Sequence, residues 1–411
     1  MLRKFLGENS ISKCNFLTIT ILFVSIFGWY YMTLPMFNNM LTGLDNTQSL
    51  IIWATFYLSI IATALLGTFL SNRFDRVKFI SIWSIISAIA SLLPMLITLG
   101  NFSQVWMVSF LLGATFGVGV PSCLAYFAES TVVENRGRVG GITFLIANFS
   151  TIFLAIMVNN VDFVIITIVF AALRIMGLVI LWLKPENQEV SKKKSEVTFV
   201  SIFKDRTFRL YFLAWSMFPL VDSFERVLVD NHLNSTLLEN MGMVETLVAA
   251  VSILVAGLLC DWIGRKKIIL SGFVALGIAY ALIGFFPDIE PVWYLYFIVD
   301  GFAWGVFLLI FLVILWGDIA QINKSEKFYT LGSIPYFLSS IIPPLLTHIS
   351  ISEIDVHTAF SVAAFFLFVA IMPLVFAPET LPEKKMELRR LRSFAEEAQK
   401  AKEIYERKMK K

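Results

Sequence analysis

Long apolar stretches separated by short polar segments make up most of the chain. Each stretch is 17 to 25 residues long, and about 20 mainly apolar residues in a helix cross the roughly 30 Å hydrocarbon core of a membrane. The pattern therefore predicts an all-α integral membrane protein with twelve transmembrane helices. The predicted spans are residues 14–35, 48–70, 79–99, 104–127, 139–159, 162–183, 208–229, 244–260, 268–287, 292–316, 328–349 and 358–377.

Composition supports this fold class and limits what else the chain can contain. Of its 411 residues, 57% are hydrophobic and 15% are charged, whereas soluble domains carry about 25% charged residues. No large soluble domain fits between the predicted spans. We expect a monomer whose partners are membrane lipid and a small-molecule substrate, with no nucleic acid, no metal and no cofactor.

The basic residues alternate between loops. Of the 33 Lys and Arg residues, all but two lie in the N-terminus, in every second loop or in the C-terminal segment, and the two exceptions, Arg174 and Arg226, lie inside apolar stretches. Because basic loops stay on the cytoplasmic side, we predict a multi-pass plasma-membrane protein with both termini in the cytoplasm. The first apolar stretch is too long for a signal peptide and is interpreted as a retained span.

Three landmarks recur at offsets of 189 to 193 residues, which indicates an internal duplication. The duplication predicts two six-helix bundles, at residues 1–183 and 207–381. Residues 184–206 are predicted to form a cytoplasmic linker and residues 382–411 a charged cytoplasmic tail helix, with self-association as its alternative role. The landmarks are segments 67–76 and 257–266, the acids Glu129 and Asp318, and the dipeptides Pro185-Glu186 and Pro378-Glu379.

A glycine- and charge-rich segment follows the eighth stretch, with Gly257, Asp261, Gly264, Arg265 and Lys266 at fixed spacing. The first glycine permits close helix approach, and the second permits a tight turn. The acid ends a helix whose C-terminus already carries partial negative charge, so it requires cations or the N-terminus of another helix nearby. The basic residues hold the loop in the cytoplasm, and a purely topological role is the alternative to gating.

This segment resembles the loop motif of the major facilitator superfamily, in which a Gly, three residues, an Asp, two residues and a Gly precede basic residues. The first-half copy keeps Gly67 and Arg76, but Ser71 stands at the position of the acid and Phe74 at that of the second glycine. The resemblance implies a gating motif in both halves. The departures put any latch that depends on the acid in doubt in the first half.

Two further segments carry the same resemblance. Glu129, followed by Arg136, is similar to the family's loop after span 4, and Pro378-Glu379-Thr380 resembles the ending of its sugar and organic-ion porters. A prokaryotic-type member of the family is therefore expected, with two bundles about a pseudo-twofold axis and alternating access to a central site.

Ionisable residues inside apolar stretches are the first candidates for function, because an intramembrane charge is costly. Asp222, Glu225 and Arg226 share one face of span 7, and Asp300 and Trp304 lie on span 10. Helical rise puts Asp222 and Asp300 about 21 and 18 Å from the cytoplasmic edge. In the family, spans 1, 4, 7 and 10 line the central cavity, so the resemblance implies that these two spans meet at the binding site.

Two interpretations of this set remain open. In one, Asp222 and Arg226 merely neutralise each other. In the other, Arg226 attracts an anionic or polar group of the solute while Asp222, Glu225 or Asp300 takes up a proton, and Trp304 stacks on the solute.

Arg174 and several aromatic residues are secondary candidates. Span 6 is peripheral in the family, so the Arg174 side chain is expected to extend toward lipid headgroups, with a role in substrate binding as the alternative. Trp29, Tyr30, Tyr31 and Tyr57 are expected to anchor span ends at the membrane interface, with ligand stacking as the alternative.

These observations predict a secondary active transporter that moves a small polar or anionic metabolite by proton-coupled symport. The chain has no GxxxxGK[ST] stretch for ATP and no HExxH or comparable catalytic set, so we expect no enzyme activity. The alternatives are an efflux transporter of the same fold, and a transport-dead membrane sensor or scaffold.

Overall fold

The computed structural model describes residues 11–71, 73–178, 180, 183, 197–320, 325–349 and 355–381. This part of the chain is helical throughout and contains no strand, as predicted. The expected tail helix at 382–411 and most of the expected linker lie outside the described residues. The described end of the linker contains one short helix, Phe199–Lys204.

Twelve helical segments of the described chain overlap the twelve apolar stretches. Eight of them, α1 to α4, α8 to α10 and α12, are long and apolar enough to cross a membrane. The segments are α1 Lys13–Met40, α2 Asn46–Ser71, α3 Arg76–Leu96, α4 Phe102–Ser130, α5 Arg136–Asn160, α6 Phe163–Leu178, α7 Arg206–His232, α8 Ser235–Ile263, α9 Arg265–Phe285, α10 Glu290–Ile319, α11 with its two parts Ser325–Ser339 and Ile342–Ile349, and α12 Val356–Phe376.

Polar side chains set the start of several helices. The side chains of Asp75, Asn101, Asp205, Asn234 and Asp355 each accept a hydrogen bond from a backbone N–H in the first turn of α3, α4, α7, α8 and α12. Such caps satisfy donors that have no partner within the helix. They explain why the polar residues between apolar stretches mark the helix boundaries.

Helix packing repeats between the two halves. In the first half α2 packs on α4 and α3 on α6, and in the second half α8 packs on α10 and α9 on α12. Across the halves, α5 packs on α8 and α2 on α11. Each contact recurs when the helix number increases by six, as the sequence duplication predicted.

The α5–α8 crossing depends on small residues. A Cβ on Gly257 would lie 2.5 Å from the Gly137 carbonyl oxygen and 3.0 Å from Gly141 Cα. The two backbones are thus in direct contact, as expected from the position of Gly257. This crossing brings the start of α5 against the end of α8.

The outer surface of the bundle is apolar. Large hydrophobic side chains are exposed along the spans, which is the arrangement expected where lipid replaces water as the solvent. The chain is therefore a multi-pass membrane protein. Examples are Leu66, Ile89, Val251, Phe365 and Met372.

Candidate functional site

Four acidic side chains from three helices of the second half lie together. We call Asp222 and Glu225 of α7, Glu245 of α8 and Asp300 of α10 the acidic cluster. Asp222, Glu225 and Asp300 are buried, and the Glu245 side chain is 15% exposed. Spans 7 and 10 therefore meet, and α8 contributes a fourth carboxyl group.

Aromatic donors orient two members of the cluster. Trp304 Nε1 donates to Asp222 Oδ1 at 3.0 Å. The hydroxyls of Tyr296 and Tyr280 donate to the two oxygens of Glu225 at 2.9 and 3.0 Å. These bonds fix the positions of both carboxyl groups within the bundle.

Asp300 is a buried acid of the cluster. Its Oδ1 is buried and receives no hydrogen bond from any donor in the described part of the chain. The next residue, Gly301, approaches the backbone of α8 at Glu245, where a Cβ on Gly301 would clash with the Glu245 carbonyl oxygen. An ionised carboxylate is costly to bury without a donor or a cation.

Arg226 does not pair directly with Asp222, so the expected mutual neutralisation is wrong in that form. Its guanidinium lies 3.8 Å from both Asp230 and Glu245, and its side chain is 54% exposed. The arginine therefore faces outward from the cluster. Its charge is engaged by two acids, one of which belongs to the cluster itself.

Glu245 was not among the residues that the sequence singled out. It lies near the start of the predicted span 244–260 and resembled a boundary residue. A Cβ on Gly301 would lie 3.1 Å from Glu245 Cα, so α8 and α10 approach closely here. The sequence signal that could have identified a close helix approach at this site is Gly301, directly after the intramembrane acid Asp300.

A small cavity of about 20 Å³ lies between the halves, with room for about one water molecule. It is lined by α1, α4, α10 and α11, so α11 takes the place expected for α7. Trp304 lies beside it, with its ring 6.3 Å from that of Tyr336, and links the cavity wall to Asp222. The lining residues are Phe27, Tyr30, Tyr31, Phe116, Val120, Leu124, Leu312, Ser333, Tyr336 and Phe337.

The aromatic residues of α1 and α2 are not all interface anchors. Trp29, Tyr30 and Tyr57 are buried, so the expectation of headgroup contact is wrong for these three. Tyr30 contacts the other half, with its ring 5.8 Å from Phe337, and Tyr31 hydrogen-bonds to Tyr336. Tyrosines from both halves therefore form the cavity wall.

Arg174 lies in the core of the first half and does not extend to headgroups, so that expectation is wrong. Its side chain is fully buried. The guanidinium carbon lies 4.0 Å from the ring centroid of Trp29, 5.1 Å from Trp83 and 5.2 Å from Phe116. We call these three rings the aromatic box.

The box stabilises the Arg174 charge without satisfying its hydrogen bonds. A desolvated cation–π contact contributes about 2 kcal/mol, comparable with the roughly 2.5–3.5 kcal/mol that insertion of an arginine at mid-membrane costs. The three guanidinium nitrogens have no hydrogen-bond partner in the described chain. Aromatic rings are poor hydrogen-bond acceptors, whereas a guanidinium has five N–H donors.

The C-terminal ends of α2, α4, α8 and α10 and the N-terminal ends of α3, α5, α9 and α11 lie at one end of the bundle, which we call the motif end. There Asp261 accepts hydrogen bonds from the backbone N–H groups of Gly137 and Arg138, at 2.9 and 2.8 Å. The acid at the end of α8 thus meets the N-terminus of α5. This is the partner that the sequence required for Asp261.

Asp318 joins the halves at the same end. It is fully buried and pairs with Arg136 of the first half at 2.5 Å and with Arg265 of its own half at 2.9 Å. Arg265 also pairs with Asp261 at 3.1 Å. Sequence reasoning noted Asp318 only as the repeat of Glu129.

The first half makes a different set of contacts. Arg76 pairs with Glu129 at 3.1 Å and with Glu326 of α11 at 3.8 Å, and the Ser122 hydroxyl donates to Glu326. The Thr68 and Thr330 hydroxyls hydrogen-bond across the halves at 2.6 Å. The motif end is therefore closed both at the α5–α8 crossing and at the α2–α11 crossing, although the first-half motif lacks the acid.

Gly264 and the Pro378-Glu379-Thr380 segment after α12 together hold the start of α9. Gly264 has a φ of 106°, which favours glycine. The Glu379 carboxylate accepts from the backbone N–H groups of Arg265 and Lys266 at 2.9 and 3.1 Å. Lys266 Nζ donates to Val375 O and Ala377 O, so the end of α12 and the start of α9 hold each other.

The motif contacts include residues that the sequence did not single out. Arg138, Glu326 and Glu379 are three of them. Arg138 and Glu379 belong to segments noted for their resemblance, whereas Glu326, in the first turn of α11, lies in a segment without a motif. A charged residue near a helix end does not indicate which other helix it contacts.

The described chain has helices of membrane-spanning length, two pseudo-symmetric six-helix bundles and buried charge at the interface between the bundles. These features define the class of helical membrane transporters. Sequence comparison agrees: the model of the Major Facilitator Superfamily matches residues 18–228 and 224–405. The chain belongs to the major facilitator superfamily. It is a transporter by family, rather than an enzyme.

Solved structures of this superfamily share the fold at low sequence identity. The proton:xylose symporter XylE, bound to 6-bromo-6-deoxy-D-glucose, has a TM-score of 0.69 and 13% identity, covering 90% of this chain and 96% of that chain. FucP in its outward conformation has a TM-score of 0.71 and 13% identity, covering 88% and 98%. The human organic anion transporter MFSD10 has a TM-score of 0.66 and 14% identity, covering 88% and 99%. No curated protein sequence matches the chain.

Proposed function

We propose that this protein is a secondary active transporter that takes up a small polar or anionic metabolite together with protons, by alternating access. The observation that carries the proposal is the acidic cluster, in which Asp222, Glu225 and Asp300 are buried and the Asp300 Oδ1 has no hydrogen-bond donor in the described chain. Xylose and fucose symporters of the same fold are proton-coupled by name, which supports the assignment of the ion.

The cluster is suited to carry a proton. A carboxylate in a low-dielectric site is costly, and protonation removes that cost. In this proposal a buried carboxyl group of the cluster carries the proton and releases it when water reaches the site. Trp304 connects the cluster to the cavity wall through Asp222, so a solute in the cavity would alter the same hydrogen bond.

The closed motif end supports alternating access. Salt bridges and hydrogen bonds join the two halves there, and the central cavity of about 20 Å³ is too small for a sugar or a similar metabolite. The halves must therefore separate to admit a solute. We assign the motif end to the cytoplasm, with both termini on that side of the plasma membrane, from the distribution of basic loops.

Proton symport is preferred to the two rivals on separate grounds. Export would use the same cluster in reverse, and solved structures of the same fold that are named as proton symporters favour uptake. A transport-dead scaffold has no use for a cluster of buried acids, because buried carboxyl groups without a cationic partner destabilise a membrane bundle.

Flux in proteoliposomes tests the proposal. A thermal-shift screen of metabolites first identifies a solute that stabilises the protein, and its uptake is then followed with and without an inward proton gradient. The triple variant Asp222→Asn, Glu225→Gln, Asp300→Asn should lose gradient-driven accumulation at least tenfold. The matched control is Glu239→Gln, an exposed acid near the start of α8. Unchanged coupled flux in the triple variant contradicts the assignment of the site.

A further inference from the structure

Arg174 is an isolated cation inside the first half. The structure gives its guanidinium three aromatic rings and no carboxylate, and each of its nitrogens lacks a hydrogen-bond partner in the described chain. The other buried arginines of the described chain are paired, Arg265 with two acids and Arg136 with Asp318. An arginine that is fully buried and unpaired is a group that an anionic ligand can neutralise.

The two tryptophans of the aromatic box are held in place. Trp29 Nε1 donates to Ser91 Oγ at 2.9 Å, and Trp83 Nε1 donates to the Thr115 carbonyl at 2.6 Å. Both indole rings are thus fixed by their polar ends, and their faces meet the guanidinium. A guanidinium offers a planar fork of N–H donors that matches the two oxygens of a carboxylate.

Two further polar groups near the box lack partners. Ser25 Oγ lies one turn before Trp29 on α1, and Ser84 follows Trp83 on α3; both oxygens are buried without a hydrogen bond to the described chain. Ser84 is next to α6, since its Cβ lies 3.2 Å from the position of a Cβ on Gly177, one turn after Arg174. Hydroxyl groups can donate to an anion that the guanidinium holds.

Phe116 connects this region to the transport path. Its ring packs on Arg174 at 5.2 Å and also lines the central cavity, where it stacks on Tyr30 at 5.2 Å. Phe116 is therefore a wall shared by the box and the cavity. It is the ring that a solute from the cavity would have to displace to contact Arg174.

We propose that Arg174 and the aromatic box bind the carboxylate group of the transported solute. This inference rests on the transporter function proposed above, and it narrows the solute from a polar or anionic metabolite to a carboxylate. The first half would hold the anion and the second half the proton.

Ligand binding to the purified full-length protein in detergent tests this site. Sodium benzoate is the probe, benzamide is its neutral isostere, and sodium chloride matches the ionic strength. At saturating concentration, benzoate should raise the melting temperature by about 3 °C more than benzamide does. Arg174→Gln should abolish the difference, and Arg174→Lys should reduce it because an ammonium lacks the planar fork.

Two further variants keep the test decisive. Arg209→Gln, at an exposed arginine of α7, should keep the full benzoate shift. If Arg174→Gln does not fold, Ser84→Ala should lower the benzoate shift while the melting temperature without ligand stays within about 2 °C, since its hydroxyl has no partner to lose.

Three results overturn the assignment. They are equal shifts with benzoate and benzamide in the unmodified protein, a benzoate shift that persists in folded Arg174→Gln, and an Arg174-dependent shift that appears with phosphatidylglycerol but not with benzoate, which would indicate a lipid site. Because binding is measured without a membrane gradient, a negative result in this binding test does not contradict proton coupling. Conversely, loss of coupling with a retained benzoate shift affects the proposed function alone.

Discussion

The two arginines that are fully buried in the described part of the chain, Arg174 and Arg265, have opposite environments. Arg265 donates to Asp318 at 2.9 Å and pairs with Asp261 at 3.1 Å, while Arg174 meets only aromatic faces and no carboxylate within the described residues. Removing one partner of a buried ion pair leaves an uncompensated charge. The first arginine is therefore tied to stability, and the second is available for a ligand.

Arg265→Gln should destabilise the protein by about 3 kcal/mol, because Asp318 and Asp261 each lose one buried cationic partner. Asp318 keeps Arg136, and Asp261 keeps two backbone N–H donors. Equilibrium unfolding in mixed micelles measures the effect. The matched control is Lys267→Gln, an exposed basic residue two positions along, which should stay within about 0.5 kcal/mol. Equal effects of the two substitutions would contradict the pairing.

Some residue environments could be predicted from sequence and others could not. The partner of Asp261 followed from the charge at the end of a helix, which is a local property. The partners of Arg226 and the burial of Arg174 depend on how helices rotate about their axes, which hydrophobicity sets weakly where a span is apolar all round. Glu245 was missed for the same reason.

At the scale of helices, the α5–α8 crossing is the closest approach that joins the two halves beside the motif. Gly137, Gly141 and Gly257 place backbone against backbone there, and this contact sets Asp261 on the first turn of α5. Any added side-chain atom must separate the helices.

Gly257→Ala should therefore destabilise the closed motif end, by about 1–3 kcal/mol as in other overpacked interfaces. Thermal unfolding in detergent reports this loss. Gly242→Ala in the same helix has nothing within 4 Å of the added Cβ, and it should be neutral or slightly stabilising because alanine favours helix. A neutral Gly257→Ala would show that the backbones are not in contact.

Glu379 caps α9 from the end of α12. Glu379→Ala should lower stability by about 1–2 kcal/mol, since two N–H groups at the start of α9 lose a charged acceptor. Urea-induced unfolding is the measurement, with Asp288→Ala, an exposed loop acid, as the control. A loss no larger than that of the control would contradict the capping role.

The sequence predicted the positions of the helices more accurately than the positions at which a helix is interrupted. The length of each apolar stretch placed the twelve segments, because this signal is local. The interruption of α11 at residues 340–341 precedes Pro343 and Pro344, which fit the first turn of its second part because they need no N–H partner there. Pattern alone had indicated one continuous span at 328–349.

For the whole molecule, the duplication yields two latches of different chemistry at the motif end. The α5–α8 side uses the motif acid Asp261 and the buried Asp318, and the α2–α11 side uses Thr68, Thr330 and a carboxylate on α11. The sequence predicted the architecture, because span length, charge alternation and the repeat agree. It placed the latch of the first-half motif, on the α2–α11 side, in doubt. The structure supplies substitutes for the missing acid there from elements far apart in the chain.

The most direct test of the account is to lock the motif end and measure transport. The Thr68→Cys, Thr330→Cys double variant, with the three native cysteines replaced by alanine, places two thiols at a contact whose hydroxyls are 2.6 Å apart. Uptake of the stabilising solute into proteoliposomes is compared before oxidation, after oxidation and after reduction, with each single cysteine variant as control. The account predicts that oxidation abolishes uptake in the double variant only and that reduction restores it. Undiminished uptake by fully cross-linked protein would contradict the movement of the two halves on which the mechanism depends.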